Sequence, residues 1–230
     1  GNPDLWRAAF NSFYVAIIGC VLGLIGTCVA AYPMAYGNFY GKKLYVIIIM
    51  FTMWFNAGIV PLFLTIRQLG LYDSLWALIL NSMITAYNVV IIRSYFSSIP
   101  FSVIESARID GATDYRILFQ LVIPLSKPVL ATVALWLIVG HWNDYLNPLV
   151  LIHSQEHKTL QLFLKELVLN AETSTSNLAS VNDATNKGVA ALSQQLKNGV
   201  LVVSMVPMLV LYPFLQKFFV SGVMLGSVKG

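Results

Sequence analysis

Runs of about twenty mostly apolar residues, separated by short polar connections, constrain this chain more than any other feature. A helix of about 20 apolar residues is what a bilayer's hydrocarbon core requires. Four runs, at 12–36, 44–66, 128–151 and 199–220, meet that length clearly. A fifth, at 75–97, carries Asn81, Ser82, Tyr87 and Asn88. Polar side chains inside a span are costly to expose to lipid, so this helix is expected to face protein or a water-filled path.

Composition closes off the soluble alternative. Of 230 residues, 57% are hydrophobic and 10% charged, whereas a soluble domain carries about 25% charged residues. The mean hydropathy is +0.73. The formal charge of +4 is spread along the chain rather than clustered, which argues against a nucleic-acid partner. The sequence holds no phosphate-binding Gly-x-x-x-x-Gly-Lys-Ser/Thr loop, no His-Glu-x-x-His and no Cys-x-x-Cys. Cys20 and Cys28 fall in one apolar run, about 12 Å apart along a helix, too far for a disulfide. They read as small packing residues. The start, Gly1-Asn2-Pro3-Asp4, lacks a Met and shows no signal peptide.

Orientation follows from the excess of Lys and Arg on cytoplasmic loops. Loops 37–43 and 98–127, with the tail 221–230, hold eight basic residues against three acidic ones, counting Arg93 and Lys217 at the inner ends of their spans. The opposite side holds six against seven. The connection 98–127 is therefore expected inside and the N-terminus outside. An outside start with five spans suggests a first helix of six preceding Gly1. In the outer loop 153–197, the spacing of Leu160, Phe163, Leu164, Leu167 and Val168 predicts an amphipathic helix against the outer mouth. Residues 171–198, rich in Ser, Thr, Asn and Ala, read as a loop with weak helical tendency.

Within 98–127, Pro100 suits a first helical turn after Ser97 and Ser98. A helix is predicted over 101–110, with Phe101, Ile104 and Ala107 on one side. Gly111 permits the left-handed backbone that ends a helix, and a second short helix follows over 113–119. Pro124 and Pro128 mark the return into the membrane. On spacing alone this is equally an amphipathic connector with a glycine turn.

The order Glu105-Ser106-Ala107, Gly111 and Leu121-Val122-Ile123-Pro124 resembles the cytoplasmic "EAA" loop of ABC-importer permeases, with Ser for the usual middle Ala and Leu for Ile. Ile109-Asp110-Gly111-Ala112 and Pro124-Leu125-Ser126-Lys127-Pro128 are similar to the carbohydrate-uptake branch. So are Asn11-Ser12, Ala31-Tyr32-Pro33, Trp142-Asn143-Asp144-Tyr145 and the tail from Tyr212-Pro213-Phe214 to Gly230. The resemblance covers nearly the whole chain and is closest to permeases for complex oligosaccharides, alginate- and pectin-fragment importers among them.

That resemblance implies an all-α integral membrane protein with the type I (MetI-like) permease bundle, multi-pass in a bacterial cytoplasmic membrane. It implies oligosaccharide import, uronic-acid-containing sugars included, by alternating access. The implied partners are a second permease subunit, an ATPase dimer and an extracytoplasmic solute-binding protein. The chain would bind no cofactor; ATP and Mg would belong to the ATPase. Glu105, Ser106, Ala107, Asp110, Gly111, Ala112, Tyr115 and Pro124 would form the ATPase-coupling surface. The tail resembles a segment entering the ATPase interface.

The substrate path is read from polar density. Trp142, Asn143, Asp144, Tyr145 and Asn147, after His141, crowd the outer part of a span, and such crowding suits a cavity wall or interhelical hydrogen bonds. Aromatic rings with amides and a carboxylate suit sugars. Asn56, Tyr87 and Asn88 are further candidates, equally readable as bundle-packing residues. Gly19, Gly23 and Gly26 offer a face for close helix packing. Two other readings stay open. One is a permease for a non-sugar solute such as polyamine or phosphate, which the Asp110-Gly111 context and the tail disfavour. The other is a membrane scaffold or sensor that binds an ATPase and moves nothing. An intramembrane enzyme would need a catalytic pair that the lone Asp144 and the scattered His141, His153 and His157 do not provide.

Overall fold

The computed structural model describes residues 3–55 and 57–178, with isolated positions between 194 and 209. Asn56, the tail 221–230 and nearly all of the predicted span 199–220 lie outside the described residues. The described chain is helical throughout. Its elements are α1 (Pro3–Tyr36), α2 (Lys42–Trp54), α3 (Ile59–Gln68), α4 (Leu75–Asn81), α5 (Ala86–Ser98), α6 (Phe101–Ile109) and α7 (Asp114–Ile117). A π turn (Leu118–Val122) then leads into α8 (Ile123–Leu125), α9 (Lys127–Asn143), α10 (Leu146–Leu151) and α11 (Leu160–Leu178).

Among the described residues, only α1 is by itself long and apolar enough to cross a membrane. It begins nine residues before the predicted boundary at 12, so its outer turn stands beyond the expected span. The other three spans in the described region are broken. The run 44–66 divides into α2 and α3. The run 75–97 divides into α4 and α5, bent by 49° around Ser82–Thr85. The run 128–151 breaks at Asp144–Tyr145 between α9 and α10. Hydropathy registers apolar length and is blind to such breaks, because one or two polar residues barely change a window average.

The bundle is organised around α1, which packs on α4, α5, α9 and α11. Its small residues permit this. A Cβ at Gly19 would stand 2.4 Å from His141 Nε2, one at Gly23 2.8 Å from the Met83 carbonyl oxygen, and one at Gly26 2.8 Å from Ile84 Cδ1. The close-packing reading of these glycines is thus met by named neighbours. Cys20 and Cys28 are buried free thiols in the same core.

The predicted outer helix is α11, and it continues to Leu178, into a stretch read as loop. Leu160, Leu162 and Leu164 are buried, while Leu167 is exposed. The amide Nδ2 of Asn11 donates to the carbonyls of Glu156 (2.8 Å) and Lys158 (3.0 Å), and the Leu160 amide donates to Ser12 Oγ (2.8 Å). Asn11-Ser12 therefore fastens the chain entering α11 to the outer end of α1.

Candidate coupling helices and substrate cavity

The unit between Ile99 and Leu125 is two short helices around a left-handed glycine. Gly111 has φ +80°. Its amide donates to the Arg108 carbonyl and the Ala112 amide to the Ala107 carbonyl, both at 3.0 Å. This is the paired 5→2 and 6→1 pattern that caps a helix C-terminus. The Thr113 side chain then caps α7 by accepting from the Arg116 amide. The second helical stretch is longer than the expected 113–119, running from Asp114 through the π turn to Leu125. It meets α9 at an 85° corner.

Burial sorts the predicted coupling residues. Ala107 and Ala112 pack against the core around Ile104 and Ile117, which are 0% and 1% exposed. Burying each of these isoleucines contributes about 1.5–3 kcal/mol to holding the pair on the bundle. Glu105, Ser106, Asp110, Gly111, Tyr115 and Pro124 are exposed. Ile109 (81% exposed) joins Tyr115 (76%) on the outer surface, and so does Phe101, which the spacing sets on the side of Ile104 and Ala107. A helix wheel shows which residues share a face; it does not show which face the bundle covers. Asp114 accepts from Arg108 (3.1 Å) and from the Tyr32 hydroxyl (2.9 Å). These two hydrogen bonds, Arg108 first, hold its carboxyl below the usual carboxylate range despite partial burial.

Within the membrane region, the helix breaks converge. A cavity of about 990 Å³ lies between α2, α3, the α4–α5 break and the α9–α10 break, lined on its polar side by Thr52, Asn81, Ser82, Thr85, Asp144 and Asn147. A neighbouring hollow of about 360 Å³ is lined by Asn88, Tyr87, Trp136 and His141, and shares Ser82, Thr85 and Asp144. Irregular backbone at membrane depth is stable only where it is buried in protein or lines a water-filled space. The breaks and the cavity therefore account for each other.

Asp144 is fixed in the wall. It accepts from the backbone amide of Asn147 (3.2 Å) and from its side-chain amide (2.7 Å), closing the start of α10. His141 is buried, its Nδ1 3.4 Å from Ser82 Oγ. The structure brings Asp144, Asn147, Asn88 and Tyr87 together and sets Trp142, Asn143 and Tyr145 apart. Trp142 is 2% exposed and packs edge-on against Phe13, with ring centroids 5.1 Å apart. Asn143 is exposed and Tyr145 lies under Lys165 Nζ, 5.9 Å from the ring centroid; neither lines the cavity. Because α9 stops at Asn143 and α10 begins at Leu146, these candidates do not share one continuous helix. The cavity's aromatic pair is instead Tyr87 and Trp136, with centroids 5.7 Å apart. Trp136 was not singled out in the sequence, and its only signal was a tryptophan in mid-span.

Residues 13–181 match the family described as the binding-protein-dependent transport system inner membrane component. The chain belongs to this family. Within it, the chain is 36% identical over its whole length to Protein LplC of Bacillus subtilis (strain 168), covering 76% of that protein. It is 34% identical to the polygalacturonan/rhamnogalacturonan transport system permease protein YtcP of the same organism, over 98% of this chain and 78% of YtcP. A crystal structure of a bacterial ABC transporter involved in the import of the acidic polysaccharide alginate superposes with a TM-score of 0.81. The match has 33% identity over 95% of this chain and 76% of that one. The fold is the all-helical permease fold of ABC importers, and the chain is a permease of that kind. As a family member it is a transport component rather than an enzyme, and an EAA motif is typical of that family.

Proposed function

We propose that this permease moves oligosaccharides, uronic-acid-containing ones included, through the cavity at the helix breaks. A partner ATPase, with its ATP and Mg, drives the switch between outward- and inward-facing states. The observation that carries the reading is that cavity. Its polar wall offers hydroxyls from Thr52, Ser82 and Thr85, amides from Asn81 and Asn147, and the Asp144 carboxylate. This is a set that exchanges hydrogen bonds with sugar hydroxyls, and the adjoining Tyr87–Trp136 pair offers ring faces. Similar proteins named for polygalacturonan/rhamnogalacturonan and for alginate support the uronate class. In this reading, Glu105, Ser106, Ile109, Asp110 and Tyr115 dock in the ATPase dimer. A second permease completes the cavity, and an extracytoplasmic binding protein delivers the sugar.

The test is uptake by proteoliposomes holding the permease pair, the ATPase and the binding protein. ATP-dependent accumulation of labelled oligogalacturonates, with phosphate and polyamine left outside, is expected. Accumulation of phosphate or polyamine instead would overturn the sugar class. ATP hydrolysis with no solute moved would favour the scaffold reading.

A further inference from the structure

The coupling helices join their own flanking spans through breaks. α5 reaches α6 through the extended residues Ile99 and Pro100. The helical stretch 114–125 meets α9 after a π turn and an 85° corner, where Ser126 Oγ is buried without a hydrogen-bond partner. Neither covalent route is a continuous rod.

A side-chain route is more direct. Tyr32, buried near the inner end of α1, donates its hydroxyl to Asp114 Oδ1 on α7, and Arg108 on α6 donates to that same oxygen. One turn further along α1, the buried Tyr36 hydroxyl donates to the Phe96 carbonyl on α5. Tyr32, Tyr36, Phe96, Ile104 and Ile117 share one buried cluster, so the polar ties sit on a packed base.

Further toward the outside, α1 touches the cavity wall with its backbone. Only a glycine at position 23 admits the Met83 carbonyl, and Gly26 lies against Ile84; both neighbours belong to the α4–α5 break. From Tyr32 to Gly23 the helix rises about 13–14 Å; Pro33, next to Tyr32, lacks the N–H that would bond the Val29 carbonyl in that stretch. α1 nonetheless runs as one uninterrupted helix from Pro3 to Tyr36, so a displacement at Tyr32 reaches Gly23 along a continuous element.

We propose that α1 is the transmission rod of this permease. The Tyr32–Asp114–Arg108 tie passes displacement of the coupling helices to α1, and the Gly23–Gly26 face of α1 moves the cavity wall at residues 82–85. Tyr32 is then a positioning residue for transport, acting through α1 rather than on the sugar. The inference rests on α6 and α7 being the surface the ATPase moves, and it holds whichever solute is carried.

The experiment uses the full chain assembled with its second permease and ATPase. Cys20 and Cys28 are replaced by Ala, and spin labels are placed at Met53→Cys and Ala86→Cys, two cavity-lining positions on α2 and α5. The label separation is measured without nucleotide and with ATP–vanadate. A shift is expected in the parent and is expected to shrink at least twofold in Tyr32→Phe, with ATP hydrolysis kept within about twofold. Asp114→Ala is expected to match Tyr32→Phe, and the double variant to be no worse than either. Asp114→Asn keeps an acceptor for the Tyr32 hydroxyl and is expected to recover most of the shift.

An undiminished shift in Tyr32→Phe overturns the proposal, as does no shift in the parent or additive loss in the double variant. Should Tyr32→Phe fail to assemble, Asp114→Ala, at an exposed position, reads the same tie. No sugar enters this measurement, so failure of oligogalacturonate uptake counts against the transport reading alone.

Discussion

At the scale of single residues, a few positions carry geometry that nothing else could supply. Gly111 has open space around it, so an added methyl meets no neighbour and only the backbone objects. Left-handed backbone costs a non-glycine residue roughly 1–2 kcal/mol. Gly111→Ala is therefore expected to loosen the coupling pair modestly. Gly111→Pro, which cannot adopt φ +80° and removes the N–H bonded to Arg108, is expected to abolish ATP-driven uptake while the protein stays in the membrane. Uptake and membrane content measured together separate those outcomes.

Asp114 invites a pH statement. Its carboxyl is held below the usual range by Arg108 and Tyr32. A group depressed in this way contributes stability above its unfolded value, near 4, and loses it as pH falls through the lower folded value. The tie is thus intact throughout the neutral range. The ATP-driven label shift is expected to be flat between about pH 6 and 8, where no protonation of Asp114 intervenes.

Asp73, in the connection before α4, stands at φ +59° and accepts from the His153 and Ser154 amides at 2.8 and 2.9 Å. Burial pushes its carboxyl up, but hydrogen bonds from Ser154 and His153 outweigh that and hold it low.

At the scale of elements, the small residues of α1 bring it close to the α4–α5 break and to His141 of α9. Inserting a methyl into a well-packed site costs about 1–3 kcal/mol, and how much depends on what must move. Gly23→Ala pushes on a backbone carbonyl and Gly19→Ala on the buried His141 ring, whereas Gly26→Ala meets the end of the flexible Ile84 side chain. The expected order of destabilisation is Gly19 and Gly23 well above Gly26, read from thermal unfolding in detergent.

The α9–α10 break depends on Asp144 in the same way that a capped helix depends on its cap. Asp144→Ala frees Asn147 and the first turn of α10 at a cost of about 1 kcal/mol. It should also raise the KM for sugar, because two polar groups leave their fixed places in the cavity wall. Equal KM in Asp144→Ala and the parent protein would remove Asp144 and Asn147 from the path.

At the scale of the whole molecule, apolar side chains cover much of the exterior. α2 has no buried residue, and Leu44, Ile47, Phe51, Trp54 and Phe55 all stand more than half exposed. Lipid or a neighbouring subunit must cover such a surface. The charge bias sets which end faces which compartment, and impermeant thiol labelling checks it. Cysteines at Glu105 and at Gln155, both exposed, are expected to react from opposite sides of the membrane. The native Cys20 and Cys28 should stay unreactive until the bundle is opened, since both are buried.

The sequence by itself determined the solvent and the glycine turn. Apolar run length places helices in a bilayer, Lys and Arg bias orients them, and Gly111 between two short amphipathic stretches dictates a helix–turn–helix pair. These are local or additive properties, and motif spacing in 105–124 carried the family with them. Tertiary structure alone decided where the cavity lies. Apolar runs look continuous in hydropathy, yet three of them break. The cavity exists only where those breaks meet, so Asp144 and Asn147 reach it while Trp142 turns into the core and Trp136 takes the aromatic place. A residue's membership in a cavity depends on several helices at once, and no periodicity within one segment encodes that.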